Sequence, residues 1–199
     1  MPLPFAAALL LATQCAPEVA PKTLLAVMQV ESGLDPLAIG VNGPRPYRLH
    51  PRSPSEAASL ADTLVAEGKT VDLGLAQINS RTLHTLGVEI RDAFIPCRNL
   101  TLAGLILQRG FVPFAQDPIS RQVALRIALS RYNTGDARRG FANGYVARVE
   151  AAAATPVPAR ARRLGRLAQG PVQIAQAPWF LTSPTNAAET VTPNQGETR

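Results

Sequence analysis

The 199-residue chain has two cysteines, two histidines, one tryptophan and 5% aromatic residues overall. Cys15 and Cys97 lack CxxC spacing, and neither His50 nor His84 stands near them, so no zinc signature is present and no metal or cofactor is predicted. Two cysteines so far apart suit either one disulfide in an oxidising compartment or two buried thiols. No apolar run reaches the ~18 residues that a membrane-spanning helix requires. The longest, residues 5–12, reads either as the hydrophobic part of an export signal or as the first helix of a fold. An export signal would be atypical, because no Lys or Arg precedes the run and no small-x-small cleavage site follows it. Lysine is nearly absent too: Lys22 and Lys69 are the only two, and arginine carries almost all of the positive charge behind the net +6. The arginine cluster Arg160, Arg162, Arg163 and Arg166 has no interleaved aromatics and no surrounding nucleic-acid motif, so nucleic acid is not a predicted partner. A basic surface of this kind also suits an acidic polymer or an anionic membrane face.

Two regions differ in texture. Residues 1–153 alternate apolar periodic stretches with turn signals and read as one mainly α domain. Residues 154–199 are rich in Pro, Gln, Thr and Ala without sustained periodicity, and read as a disordered tail with one apolar island at Trp179, Phe180 and Leu181. Within the domain, helices are predicted at about 4–15, from Pro21 or Thr23 to Gly33, from Pro54 to Gly68 behind the capping box Ser53–Glu56, and from Asn79 or Ser80 to Leu86. Others begin at Asn99 or Thr101 and at Ser120, and a last one covers 145–153. Residues 69–76 have room for a short extended piece, and residues 37–54, rich in Pro and Gly, read as a loop.

Within TLLAVMQVESGLDP (residues 23–36), helical spacing puts Leu24, Val27 and Met28 on one face with Glu31 in its middle, while Ala26 and Gln29 point away. A carboxylate on an apolar face is costly. Desolvation raises its pKa, and a carboxyl that stays protonated near neutral pH can donate a proton to a leaving oxygen. The bland reading of a single Glu, exposed at a helix end or paired with arginine, is weakened by the apolar face, by the helix stop one turn on and by the Gly- and Pro-rich loop beyond.

Two later stretches end apolar segments in polar groups. In LGLAQINS, Gln77 and Asn79 alternate with Ala76 and Ile78 and are expected on one side of an extended piece, where amides suit sugar hydroxyls and acetamido groups. In LSRYNTGD, Tyr132 and Asn133 end a helix before Gly135. Singly, Asn79 reads as a helix cap, Asn133 as a turn former and Tyr132 as a core residue.

In order, ESGLDP, GLAQIN and YNTGD resemble the three motifs of lysozyme-like lytic transglycosylases. With CAPEV, the SPSEAASLADTL helix, PCRNL and GYVARV included, residues 10–150 resemble the lytic transglycosylase subunit of type IV secretion and conjugation systems. The resemblance implies a lysozyme-like helical domain that cleaves the β-1,4 bond between N-acetylmuramic acid and N-acetylglucosamine in peptidoglycan, leaving 1,6-anhydromuramoyl ends. It implies Glu31 as catalytic acid and base. It implies Ser32, Gln77, Asn79, Tyr132 and Asn133 as substrate-binding residues, with the Tyr132 phenol orienting Glu31. It also implies a periplasmic location, a Cys15–Cys97 disulfide suited to that compartment, glycan strands as substrate, and other secretion-system subunits as partners, with the tail as a possible docking segment. A glycosidase ordinarily uses two carboxyl groups, whereas a transglycosylase draws its nucleophile from the substrate and one suffices. Asp35, Asp72 and Asp136 are the second acids to weigh, each with a turn or surface-loop reading. The rival functions are a muramidase-type hydrolase on the same fold and a glycan-binding subunit without turnover.

Overall fold

A computed structural model of the chain describes residues 1–111 and 118–156. The predicted tail, with its arginine cluster and aromatic island, lies outside the described residues apart from 154–156.

The described part is mainly α with one small antiparallel sheet, as the sequence predicts. Helix α1 (Phe5–Cys15) and α2 (Pro21–Ser32) come first. Strands β1 (Ile39–Val41) and β2 (Tyr47–Leu49) precede α3 (Pro54–Ala66). Strands β3 (Val71–Leu73) and β4 (Ile78–Asn79) lead into α4 (Ser80–Leu86), a 3-10 turn (Ile90–Phe94) and α5 (Pro96–Gly110). Helices α6 (Pro118–Thr134), α7 (Arg139–Ala142) and α8 (Tyr145–Ala154) close the domain.

Helix α2 is the axle of the fold, packed on α8, α1 and α5. Leu24, Leu25, Ala26, Val27 and Met28 are all buried. The predicted apolar face is therefore real, but Ala26 does not point to solvent: neighbours cover the helix on nearly every side. Pro21 starts α2 and left-handed Gly33 (φ 63°) ends it, as predicted. Residues 5–12 form part of α1, which sinks Ala8, Ala12 and Cys15 into the core. The Cys15–Cys97 disulfide ties the end of α1 to the first turn of α5.

Other boundaries follow their local chemistry. Ser53 accepts the Glu56 N–H at 3.2 Å, and the Glu56 carboxylate reaches back to the N–H of Arg52 at 2.7 Å, one residue earlier than the capping box anticipates. The Asn79 side chain caps α4 by accepting from the N–H of Arg81.

The loop predicted for 37–54 is corrected: it contains β1 and β2, which extend the sheet to the order β2-β1-β3-β4. Three-residue strands built around glycine and arginine carry too little alternation to be seen in sequence. The predicted start of α5 is corrected as well. Pro96 opens the helix, and Asn99 lies inside it with a fully buried side chain. That amide accepts from the N–H of Ala76 and donates to the carbonyls of Leu73 and Ala93, all at 2.8 Å. It thereby satisfies the backbone of the turn between β3 and β4. Gly74 (φ 75°) in that turn has no room for a side chain, since a Cβ would stand 2.4 Å from the Ala93 carbonyl oxygen.

Candidate active site

Register puts one row of the sheet in line. Arg48 of β2 faces Gly40 of β1, Gly40 faces Asp72 of β3, and Asp72 faces Asn79 of β4. The adjacent rows, holding Ile39, Leu73 and Ile78 or Val41 and Val71, turn into the core. Because side chains alternate across a strand, the Arg48–Gly40–Asp72–Asn79 row faces the opposite way, toward the end of α2.

Glu31 sits there, half-buried, in the last turn of α2. Burial is the largest influence on its carboxyl and raises its pKa from 4.5 to about 7. A hydrogen bond from Tyr145 works against that rise. The negative charge of Asp72 reinforces it, and the positive charges of Arg48 and Arg148 oppose it. The Tyr145 hydroxyl donates to Glu31 Oε1 at 2.6 Å. Tyr145 opens α8, is itself 1% exposed, and brings its phenol to a residue 114 positions earlier in the chain. Its own pKa is pushed up by burial and then by the neighbouring Glu31 charge, so it remains a donor.

Tyr132, the predicted orienting tyrosine, lies near Glu31 but does not hold it in this structure. Its hydroxyl donates to the carbonyl of Ala76 at 2.6 Å, and burial followed by the charges of Glu31 and Asp72 raises its pKa. The orienting bond belongs to Tyr145. The GYVARV segment that carries it looks in sequence like one more core-facing helix, with Val146 and Val149 on the same buried side. Only a phenol at the very start of that helix hinted at more.

The other predicted residues are near but more constrained than free ligand donors. The Ser32 hydroxyl, 6% exposed, donates to Leu75 O at 2.7 Å and so pins α2 to the turn after β3. Gln77 does not extend a strand face beside Asn79. It adopts φ 50°, and its amide donates to the carbonyls of Ala38 and Gly74, locking the turn. Its Oε1 occupies the space above Gly40, 2.8 Å from where a Cβ would stand. Asn79 does face the site, donating to Asp72 Oδ1 at 2.7 Å while its own oxygen caps α4. Asn133 is exposed and accepts from Asn143 Nδ2 at 2.8 Å. The Asn143 oxygen in turn accepts the Tyr145 N–H at 2.9 Å, so Asn133 steadies the start of α8.

Among the three candidate second acids, Asp72 is the one beside Glu31. Its two oxygens accept from Asn42 at 2.8 Å and Asn79 at 2.7 Å. Asp35, buried, accepts from the Leu37 N–H and pairs with His50 at 2.9 Å, and Asp136 accepts from the N–H groups of Arg138 and Arg139. Both are turn formers, as their sequence contexts suggest.

A half-buried carboxyl of raised pKa bonded by a phenol, beside a second acidic side chain and a sheet row that carries Asn79, has the chemistry suited to acid–base work on a polar substrate. The chain belongs to the transglycosylase SLT domain family, whose match covers residues 9–154. It is 41% identical over 157 residues to Protein virB1 of Agrobacterium fabrum strain C58, an alignment that covers 79% of this chain and 63% of that protein. It is 44% identical over 134 residues to the type IV secretion system protein virB1 of Brucella abortus strain 2308, covering 67% of this chain and 56% of the relative. The chain therefore spans less than two thirds of the length of these relatives. No solved structure matches it.

Proposed function

We propose that the protein is a peptidoglycan lytic transglycosylase that opens the cell wall locally for a type IV secretion or conjugation apparatus, and that it works in the periplasm. Membership of the SLT family and the similarity to virB1 proteins support the class and the setting. The observation that carries the chemistry is Glu31, a half-buried carboxyl with a pKa of about 7, held by Tyr145. At neutral pH a substantial fraction is protonated and able to act as an acid, and the remainder is ionised and able to act as a base.

The reaction then runs in two proton transfers. Glu31 gives its proton to the oxygen of the β-1,4 bond between N-acetylmuramic acid and N-acetylglucosamine, and the bond from that oxygen to muramoyl C1 breaks. The resulting Glu31 carboxylate takes the proton of the muramoyl C6 hydroxyl as O6 bonds to C1. The products are a free 4-hydroxyl and a 1,6-anhydromuramoyl end; Glu31 regains its proton and no water is consumed. Asp72, fixed by hydrogen bonds from two amides, is the group that would stabilise positive charge developing at C1. Asn79 and Asn133 offer amides to the glycan, while Ser32, Gln77 and Tyr132 shape the cleft through the backbone groups they bind.

Asp72 also favours one second reading, a hydrolase in which it supplies the second carboxyl. Mass spectrometry of peptidoglycan digests separates the two. Anhydromuramoyl ends from the wild type, absent with Glu31→Gln, are the expected result; reducing ends alone would establish hydrolysis instead.

A further inference from the structure

Arg48 of β2 and Arg148 of α8 both lie close enough to the Glu31 carboxyl to act on its charge, and for an acid their presence is counterproductive. Both positive charges favour the ionised form of Glu31, which the first proton transfer does not use. Three exposed arginines elsewhere in the domain pair with carboxylates: Arg91 with Glu89, Arg98 with Asp92 and Arg126 with Glu150. Neither Arg48 nor Arg148 has a carboxylate within ion-pair distance among the described residues. Both are exposed, yet each is anchored. Arg48 donates through Nη1 to the backbone carbonyl of Glu31 itself at 2.5 Å. Arg148 donates through Nη1 to the Asn143 carbonyl at 3.1 Å, and its guanidinium carbon lies 5.9 Å from the centre of the Tyr145 ring. One N–H of each is spent on the backbone, which fixes the plane of the group and leaves other N–H donors for a ligand. A guanidinium held in this way is well suited to a carboxylate.

We propose that Arg48 and Arg148 recognise carboxylates of the stem peptide attached to the muramoyl lactyl group, so that the enzyme selects glycan strands carrying acidic peptides. The inference rests on the peptidoglycan reading above and adds a specificity to it. It also gives two cations a role at a site whose glycan backbone is neutral. Bound carboxylates would offset the two cations and leave Glu31 freer to keep its proton.

The test uses intact sacculi and sacculi whose peptide carboxylates have been capped as methylamides by carbodiimide coupling. The glycan and the peptides are retained, and only the charge is removed. Wild-type kcat/KM should fall about tenfold on the capped material, mainly through KM, as expected when charge-assisted hydrogen bonds are lost. The double variant Arg48→Gln/Arg148→Gln should show equal kcat/KM on the two substrates, and Arg48→Lys/Arg148→Lys should retain part of the preference. The lysine pair keeps the test decisive where the glutamines disturb the fold. A wild type that treats the two substrates alike, or a glutamine variant that keeps the full preference, overturns the proposal. Wild-type protein that cleaves neither substrate overturns the transglycosylase reading itself, a result distinct from cleavage without preference.

Discussion

The Tyr145 hydroxyl donates to Glu31 Oε1 at 2.6 Å, joining the first residue of α8 to the last turn of α2 across 114 positions of sequence. These helices pack side by side, so the bond fixes the carboxyl by rigid elements at both ends. It also favours the ionised form of Glu31, opposing the effect of burial. Tyr145→Phe keeps the buried ring and removes only the donor. Glu31 should then titrate above about 7, and the alkaline limb of the pH–rate profile should move to higher pH. With the carboxyl free to rotate, kcat should drop by roughly 10- to 100-fold, the scale of a misplaced acid–base group. Steady-state turnover of soluble glycan strands across pH checks both effects.

Asp72 acts in the opposite direction. Its charge raises the pKa of Glu31, so Asp72→Asn should lower it and shift the same limb toward acid. The pair of single variants therefore moves one titration in two directions, which a general loss of structure would not do.

The raised pKa of Glu31 carries a stability cost whose sign is fixed. Below pH 4.5 the group is protonated in both folded and unfolded chains, and no cost arises. As pH rises from 4.5 to about 7, the unfolded chain ionises first and folding stability declines. Glu31→Gln removes this term. Since Glu31 is only half-buried, the variant should exceed the wild type by about 2 kcal/mol at pH 8, with little difference at pH 4. Urea unfolding at the two pH values measures it.

The disulfide between Cys15 and Cys97 closes a separation of 82 residues. In the chain-entropy account, a loop of that length stabilises the fold by about 4 kcal/mol. The Cys15→Ser/Cys97→Ser variant should therefore lose roughly 10 °C in Tm, and a reductant should lower the wild-type Tm by a similar amount while leaving the variant unchanged.

Much of this arrangement can be read from residue order. The caps at Ser53 and Asn79, the stop at Gly33 and the carboxyl among Leu24, Val27 and Met28 each rest on chemistry confined to a few neighbouring residues. What escapes is long-range. Tyr145 looks like a core residue because its ring is one, and only the fold reveals where the hydroxyl goes. Asn99 reads as a helix cap, whereas its amide serves a turn more than twenty positions earlier. Gln77 belongs to a run that alternates like a strand, but the left-handed backbone at that residue turns its amide into the loop. The three-residue strands around Gly40 and Arg48 carry no periodic signal, so the sheet row that aligns Arg48 with Asp72 is invisible until the strands pair.

The central claim is that Glu31 holds a proton near neutral pH. A carbon-13 NMR titration of glutamate-labelled protein, with the Glu31 resonance assigned by its absence in Glu31→Gln, tests this without reference to any substrate. The account predicts a midpoint at about 7. A midpoint between about 4 and 5, in the range of an ordinary solvated glutamate, would contradict it.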